Sequence, residues 1–142
     1  MCSSDLRVAI EGPYGAFTRF SKTGNHVLLV GAGVGVTPLR ALLEDLPHTT
    51  DVVCVLRAGS EEQLPHLEEI RRLVDRRDGQ LHVLTGPRDR VRMDEVLPAV
   101  VPDLAGRDIY VCGPGGFTED VEATARRWGA DGEQIHSEAF AF

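Results

Sequence analysis

A glycine-rich segment, Gly-Ala-Gly-Val-Gly-Val-Thr-Pro at residues 31–38, follows directly on the apolar run Val-Leu-Leu-Val at residues 27–30. Glycine lets the backbone approach a ligand closely and adopt a positive φ without a Cβ penalty. Thr37 is predicted to cap a helix, and Pro38 to take its first position, where a missing N–H costs nothing. Because the free N–H groups of a helix start suit a phosphate, this segment predicts a nucleotide site.

The glycine pattern differs from the common dinucleotide fingerprint. That fingerprint is G-x-G-x-x-G, with an acidic residue about 20 positions further on that holds the ribose hydroxyls. Here the third glycine is shifted, giving G-x-G-x-G-x-T-P, and the next apolar run ends in Leu-Arg-Ala-Gly-Ser at residues 56–60, with Arg57 where the fingerprint has an acid. A phosphate loop of the Gly-Lys-Ser/Thr type is excluded, since no such tripeptide follows. Taken alone, the turn fits a structural role as well as a nucleotide site.

A second motif repeats the arrangement of strand, glycine turn and helix. Residues 108–117 read Asp-Ile-Tyr-Val-Cys-Gly-Pro-Gly-Gly-Phe. The carboxyl ends of parallel strands meet at one edge of a sheet, so Cys112 and Gly113 are predicted to lie beside the first turn. A buried Cys112 that packs as a small hydrophobic residue is the alternative.

Two further segments carry aromatic residues at unusual places. The chain ends in His-Ser-Glu-Ala-Phe-Ala-Phe at residues 136–142, although chain ends are usually polar. These rings either pack on their own sheet or cover a flat cofactor. Residues 11–18 read Glu-Gly-Pro-Tyr-Gly-Ala-Phe-Thr and precede the first sheet strand, which indicates a junction with an upstream domain.

Composition limits the class of protein. The chain has 142 residues and a formal net charge of −7, which argues against a general binder of nucleic acid or anionic membranes. No apolar run approaches the roughly 20 residues of a membrane span, and the first six residues lack the features of a signal peptide. The three cysteines form no CxxC pair, which indicates a reducing compartment. The five histidines are scattered, so no metal site is predicted.

Strands and helices alternate along the chain. Strands are predicted at residues 7–11, 26–30, 51–56, 80–85, 108–112 and 134–138, with a Gly/Ser/Thr-rich connection at 11–24. Helices are predicted at residues 37–46, 61–77, 93–101 and 116–128. Pro65 lies early enough in its helix to be tolerated, and Pro98 shortens or kinks the third helix. This alternation predicts an α/β fold with a doubly wound five-stranded parallel sheet of order 3-2-1-4-5 and helices on both faces. A nucleotide is expected across the carboxyl ends of the strands.

The four motifs, in this order and spacing, resemble the ferredoxin-NADP reductase superfamily over residues 7–142. The segment at residues 11–18, Leu-Thr-Gly-Pro-Arg at 84–88 and the Glu-x-Phe-x-Phe ending are similar to the branch of ferric reductases and NADPH oxidases. The resemblance implies an NAD(P)-binding domain at residues 25–142, and at residues 1–24 the remnant of the last strand of an upstream flavin-binding barrel plus a linker. We expect a fragment that lacks the barrel, because so few residues precede the turn, and a truncated or artefactual start at residues 1–6.

The resemblance also implies roles for individual residues. The pyrophosphate of NAD(P)H would be cradled by Gly31, Gly33, Gly35, Thr37 and Pro38. The adenosine ribose and a 2′-phosphate would meet Arg57 and Ser60. The nicotinamide would be bordered by Cys112, Gly113 and Pro114. Glu138 would belong to the hydride-transfer site, Phe140 would stack near the flavin ring, and Phe142 is a second candidate for that stacking. In the catalytic set of Cys112, Glu138 and Phe140, the side chains would orient and gate the cofactors rather than act as nucleophiles.

The implied function is transfer of a hydride from NAD(P)H to FAD on the upstream domain, then of single electrons to a haem, iron–sulfur or ferric acceptor. Arg57 favours a coenzyme with a 2′-phosphate, whereas Glu61 and Glu62 oppose it; we expect NADPH and leave NADH open. The implied partners are the upstream flavin domain in cis and the electron acceptor, without nucleic acid. The resemblance implies a cytoplasmic location for this domain. Because the family contains members with membrane helices, it also allows a parent protein that is bound to the membrane.

Two other interpretations stay open at this point. The first is a non-catalytic dinucleotide-binding subunit for electron transfer or regulation, which docks a partner through Phe140 and Phe142. The second is a doubly wound domain that binds no nucleotide. Two phosphate-type turns at one sheet edge argue against the second.

Overall fold

A computed structural model describes residues 25–87 and 89–140, with Phe140 described by its backbone. The predicted strand at residues 7–11, the connection at 11–24 and Phe142 lie outside the described residues. The strands are His26–Ala32 (β1), Asp51–Ala58 (β2), Gln80–Thr85 (β3), Asp108–Pro114 (β4) and Ile135–Phe140 (β5). All neighbouring strands pair in parallel in the order β3-β2-β1-β4-β5, which confirms the predicted sheet.

Four α-helices connect these strands. They are Val36–Asp45 (α1), Leu67–Asp75 (α2), Met93–Val100 (α3) and Gly115–Arg127 (α4). Short 3-10 turns lie at Gly33–Gly35, Glu61–Gln63, Leu104–Gly106 and Gly132–Gln134. Within the described part of the chain, none of the helices has both the length and the apolar character needed to cross a membrane.

The sheet is buried on both faces, as the prediction of helices on either side requires. Val27 and Leu29 of β1 belong to the core under α1 and α2, whereas Leu28 and Val30 belong to the core under α3 and α4. All four side chains have no solvent exposure. Burial on both faces explains why the three central strands, β1, β2 and β4, are largely continuous apolar runs in the sequence rather than alternating ones.

The predicted start of the first helix is wrong by one to two residues. The N-cap of α1 is Gly35, no side chain caps the helix, and Thr37 lies inside it as the second residue. Pro38 is the third helical residue rather than the first. The first four N–H groups of a helix have no partner within the helix, so a proline at this position still breaks no hydrogen bond. The 3-10 turn at Gly33–Gly35 leads straight into the helix, so the helix begins earlier in the sequence than predicted.

The predicted helix at residues 61–77 is also wrong in its first part. The structure has a 3-10 turn at Glu61–Gln63, and α2 begins only at Leu67. Leu64 is extended, with φ −98° and ψ 110°, because the ring of Pro65 disfavours helical backbone in the preceding residue. His66 then adopts φ +62° before the helix starts.

Four strands extend further towards the site than the sequence indicated. β1, β2, β4 and β5 each run two residues beyond their predicted ends, so Gly31, Arg57 and Gly113 belong to strands rather than to turns. The last strand runs from Ile135 rather than from Gln134, which belongs to the preceding 3-10 turn. Backbone pairing thus fixes the positions of several predicted site residues.

Candidate functional site

A cleft of about 1210 Å³ lies at the carboxyl ends of the strands. β1 and β4 are neighbours at the point where the strand order reverses, which is where open α/β sheets bind ligands. The cleft extends from the turn at Gly33 across the end of β2 to the segment that enters α3, and along one side of α4 as far as Arg127. Its lining includes Gly33, Arg57, Gly86, Asp94, Pro114 and Phe117.

The three positions of the first motif are occupied by glycine for different structural reasons. A Cβ on Gly31 would lie 2.5 Å from Cδ1 of Leu39, so this glycine lets α1 pack close to β1. A Cβ on Gly35 would lie 2.3 Å from the carbonyl oxygen of Cys112. Gly33 has φ +57° with open space around it, and it lines the cleft. Of the three, Gly33 alone lines the cleft, and Gly31 and Gly35 shape the turn behind it.

The start of α1 presents backbone N–H groups without a competing acid. The first turn contains no acidic residue, and among residues 25–87 and 89–140 no side chain caps the helix start. Thr37 is half-buried and Pro38 is buried. Val34, at the tip of the turn, is 54% exposed and lines the cleft. This arrangement suits a phosphate, because the partial positive charge of the helix end is left uncompensated.

Cys112 and Glu138 are directly paired across β4 and β5. Burial raises the pKa of the Cys112 thiol to about 12, and the charge of Glu138 contributes to that rise. Burial likewise raises the pKa of the Glu138 carboxyl. Two pairs earlier along the same two strands, the rings of Tyr110 and His136 stack with their centroids 4.7 Å apart. Cys112 and Tyr110 belong to the core under α1 and α2, so this pair lies on the other sheet face from the cleft-lining Arg57.

Gly113 and Pro114 join the two regions. A Cβ on Gly113 would lie 2.9 Å from Cδ2 of Phe117, a cleft-lining residue at the start of α4. Pro114 lines the cleft and is the N-cap of α4, and its backbone pairs with that of Phe140. The last described residue of the chain end is therefore held beside the opening of the cleft.

Arg57 projects into the cleft, but its guanidinium group is bound to backbone. Nη2 donates a hydrogen bond of 2.7 Å to the carbonyl oxygen of Gly86, and Nη1 donates one of 3.3 Å to that of Leu84. Nη1 also donates to the carbonyl oxygen of Ala58. Ser60 caps the 3-10 turn at Glu61–Gln63 through its backbone and does not line the cleft.

Sequence reasoning missed the charged side chains that line the cleft from α3, α4 and the segment before α3. These residues are Asp89, Arg92, Asp94, Glu119, Asp120 and Arg127. Nη2 of Arg92 lies 3.0 Å from Oδ2 of Asp94, and this pairing raises the pKa of Arg92. The six charged residues follow β3 and β4 in the sequence. Because parallel strands end at the same edge of a sheet, the reasoning that placed the two glycine motifs there could also have predicted these residues. Over residues 25–87 and 89–140, no group of three or more His, Cys, Asp or Glu side chains is arranged to hold a metal ion.

The fold and this edge define a dinucleotide-binding α/β domain. The family of oxidoreductase NAD-binding domains matches residues 29–123, more than half of the chain, and the chain belongs to that family.

Known proteins similar to the chain agree with this assignment. The glycine betaine monooxygenase reductase subunit of Pseudomonas aeruginosa (strain UCBPP-PA14) is 27% identical over 145 residues, covering 92% of this chain and 39% of the relative. The flavohem-like FAD/NAD-binding domain of nitric oxide dioxygenase from Vibrio cholerae O1 biovar El Tor is 26% identical with a TM-score of 0.69, covering 84% of this chain and 52% of that one. Ferredoxin-NADP+ reductase from Plasmodium falciparum shares the fold, with a TM-score of 0.67 at 14% identity, covering 82% and 53%.

The predicted membership in the ferredoxin-NADP reductase superfamily is thereby confirmed, and the ferric-reductase branch stays a prediction. The chain spans about two fifths of the length of the curated relative described above.

Proposed function

We propose that this chain is the NAD(P)H-binding half of a flavin-dependent reductase. The observation that carries the proposal is the uncapped, acid-free start of α1 at the switch point, in contact with the peptide of Cys112 and Gly113. A coenzyme whose diphosphate meets the helix start has room for its adenosine in the cleft, and its nicotinamide reaches the end of β4.

The roles of the residues follow from these places. The backbone from Gly31 to Pro38 binds the diphosphate, and Ala32, Gly33 and Val34 of this segment line the cleft. Gly113 and Pro114 border the nicotinamide ring, and Cys112 and Glu138 hold the ends of β4 and β5 in register beside it. With pKa values raised by burial, the thiol is neutral at pH 7 and acts by position, not as a nucleophile.

The flavin belongs to an upstream domain in the same protein. FAD, when bound there, supplies the conversion of a two-electron donor into single electrons. The contribution of this chain is to present the nicotinamide and, through Phe140 or Phe142, to cover the ring until the coenzyme displaces it. The backbone of Phe140 pairs with that of Pro114, which supports this role for Phe140.

The electron acceptor is a haem or iron–sulfur protein. The name of the P. aeruginosa relative describes the reductase subunit of a monooxygenase, and the V. cholerae structure belongs to a nitric oxide dioxygenase. We place this domain in the cytoplasm, because its three cysteines form no CxxC pair and indicate a reducing compartment.

The test is flavin reduction in the parent protein with its upstream region restored. After anaerobic mixing with NADPH or NADH, the absorbance of the bound flavin near 450 nm is expected to bleach at a rate that saturates with coenzyme concentration. A parent protein that retains its flavin but is reduced by neither coenzyme would overturn the proposal.

A further inference from the structure

We propose that Arg57 is a positioning residue for the adenosine end of the coenzyme and does not select NADPH through its 2′-phosphate. The inference rests on the proposed function, because it assumes that the adenosine lies in the cleft. It differs from the sequence-based expectation, in which a cation at this place binds the 2′-phosphate directly.

The guanidinium group of Arg57 extends the pairing of β2 and β3 beyond the end of the strands. Arg57 and Leu84 are already paired in the parallel ladder, and the side chain then reaches the carbonyl oxygens of Leu84 and Gly86. The amide of Gly86 in turn donates a hydrogen bond of 3.2 Å to the carbonyl oxygen of Gly59. The segments that follow β2 and β3 are far apart in sequence, and hydrogen bonds given by each segment to the other hold them together.

The hydrogen bond from Arg57 fixes the carbonyl group of Gly86, whereas the amide of Gly86 is held by Gly59. Gly86 has φ +127°, a conformation open to glycine but strained for other residues, so its carbonyl direction is not fixed by ordinary backbone preference. Gly86 and the half-buried Arg57 both line the cleft. Hydrogen bonds from a charged donor to a carbonyl are among the stronger ones in proteins, so this contact orients the turn.

The hydrogen bonds of Arg57 and the charges around it argue against direct binding of a 2′-phosphate by this side chain. Both Nη atoms of Arg57 donate to carbonyl oxygens, so rotation of the fork towards a phosphate would break these bonds. Glu61 and Glu62 are exposed directly after Ser60, and Asp89 and Asp94 line the same cleft. Their negative charges disfavour the additional dianion that distinguishes NADPH from NADH.

The test uses two variants of the full chain, Arg57→Met and Arg57→Lys. Methionine keeps much of the length without any N–H donor, and lysine keeps the charge without the planar fork. Arg72→Met is the matched control, since Arg72 is exposed on α2 and lies outside the cleft. The measurements are the dissociation constants for NADH and for NADPH, and the hydrogen-exchange rate of the Gly86 amide.

We expect both Arg57 variants to bind NADH and NADPH more weakly by the same factor, about tenfold, and to exchange the Gly86 amide faster. The control is expected to change neither quantity. A loss confined to NADPH, a loss rescued by lysine, or unchanged exchange at Gly86 would overturn the inference. Failure of the unmodified chain to bind either coenzyme would instead count against the proposed function, and exchange at Gly86 would still decide the positioning role.

Discussion

The α-carbon of Gly35 packs against the carbonyl group of Cys112 so closely that a Cβ on Gly35 would lie 2.3 Å from the oxygen and 2.6 Å from the carbon. The contact joins the glycine turn after β1 to the last residues of β4. In the proposed function these segments hold two parts of one coenzyme molecule, the central diphosphate and the nicotinamide at one end. Their relative position is therefore set by backbone packing, which a flexible side chain would define less well.

Replacing Gly35 by alanine tests this contact. Because the neighbouring atoms are backbone, Gly35→Ala has to displace the turn or β4, and we expect it to lower the free energy of unfolding by about 1–3 kcal/mol. Gly116→Ala is the control, since Gly116 is in the first turn of α4 with open space around it. Urea unfolding of both variants gives the comparison. Equal stability of the two variants would show that the turn adjusts freely.

The ionisation of Glu138 is expected to make stability depend on pH. Burial raises the pKa of this carboxyl in the folded chain, so the folded state binds its proton more tightly than the unfolded state. The free energy of unfolding then falls as pH rises from the unfolded pKa, about 4.3, through the higher folded pKa.

Glu138→Gln removes that dependence. We expect the variant to be more stable than the original chain at pH 7 and equally stable at pH 3, as measured by unfolding across the pH range. The same variant is expected to lower the pKa of the Cys112 thiol, because the charge of Glu138 is one of the causes of its rise. A pH dependence of stability that survives the substitution would assign it to other groups.

The two described cysteines are expected to resist alkylation. Both are buried, and burial raises the pKa of the Cys54 thiol and of the Cys112 thiol to about 12. At pH 8 only about one thiol in ten thousand is then ionised, so iodoacetamide should leave both unmodified in the folded chain and modify both in urea. Peptide mass spectrometry gives the readout, and rapid labelling of Cys112 in the folded chain would contradict a purely positional role.

Removal of residues 140–142 distinguishes the enzyme from a docking module. In the parent reductase we expect the truncation to change the rate of flavin reduction and the preference between NADPH and NADH, because in the proposed function Phe140 or Phe142 covers the flavin ring. In a non-catalytic subunit the truncation would alter only association with a partner. Stopped-flow reduction with each coenzyme gives the first quantity, and sedimentation of the mixed proteins gives the second.

The sheet was predictable because its residues obey one strong constraint. Strands covered on both faces need continuous apolar runs, and the runs around Leu28, Val53 and Ile109 satisfy it. Helix starts were less predictable, because several local signals compete there. Thr37 and Pro38 suit a cap and a first turn, but the 3-10 turn at Gly33–Gly35 determined where α1 begins.

The placement of the glycine turns and of Cys112 at one edge also followed from topology, since parallel strands end on the same side. The partners of Arg57 did not. Its side chain binds carbonyl groups 27 and 29 residues away, and only the folded pairing of β2 with β3 brings them together. A single sequence shows the charge of such a residue but does not show which backbone oxygens accept its hydrogen bonds.

In the proposed function, the backbone N–H groups between β1 and α1 bind the diphosphate of a reduced pyridine coenzyme. The most direct measurement is a titration of the full chain with NADH and NADPH, followed by the NMR shifts of individual amides. We predict saturable shifts at Gly33, Val34 and Gly35, accompanied by shifts at Gly113. Shifts confined to residues remote from this edge, or no saturable shift with either coenzyme, would contradict the account.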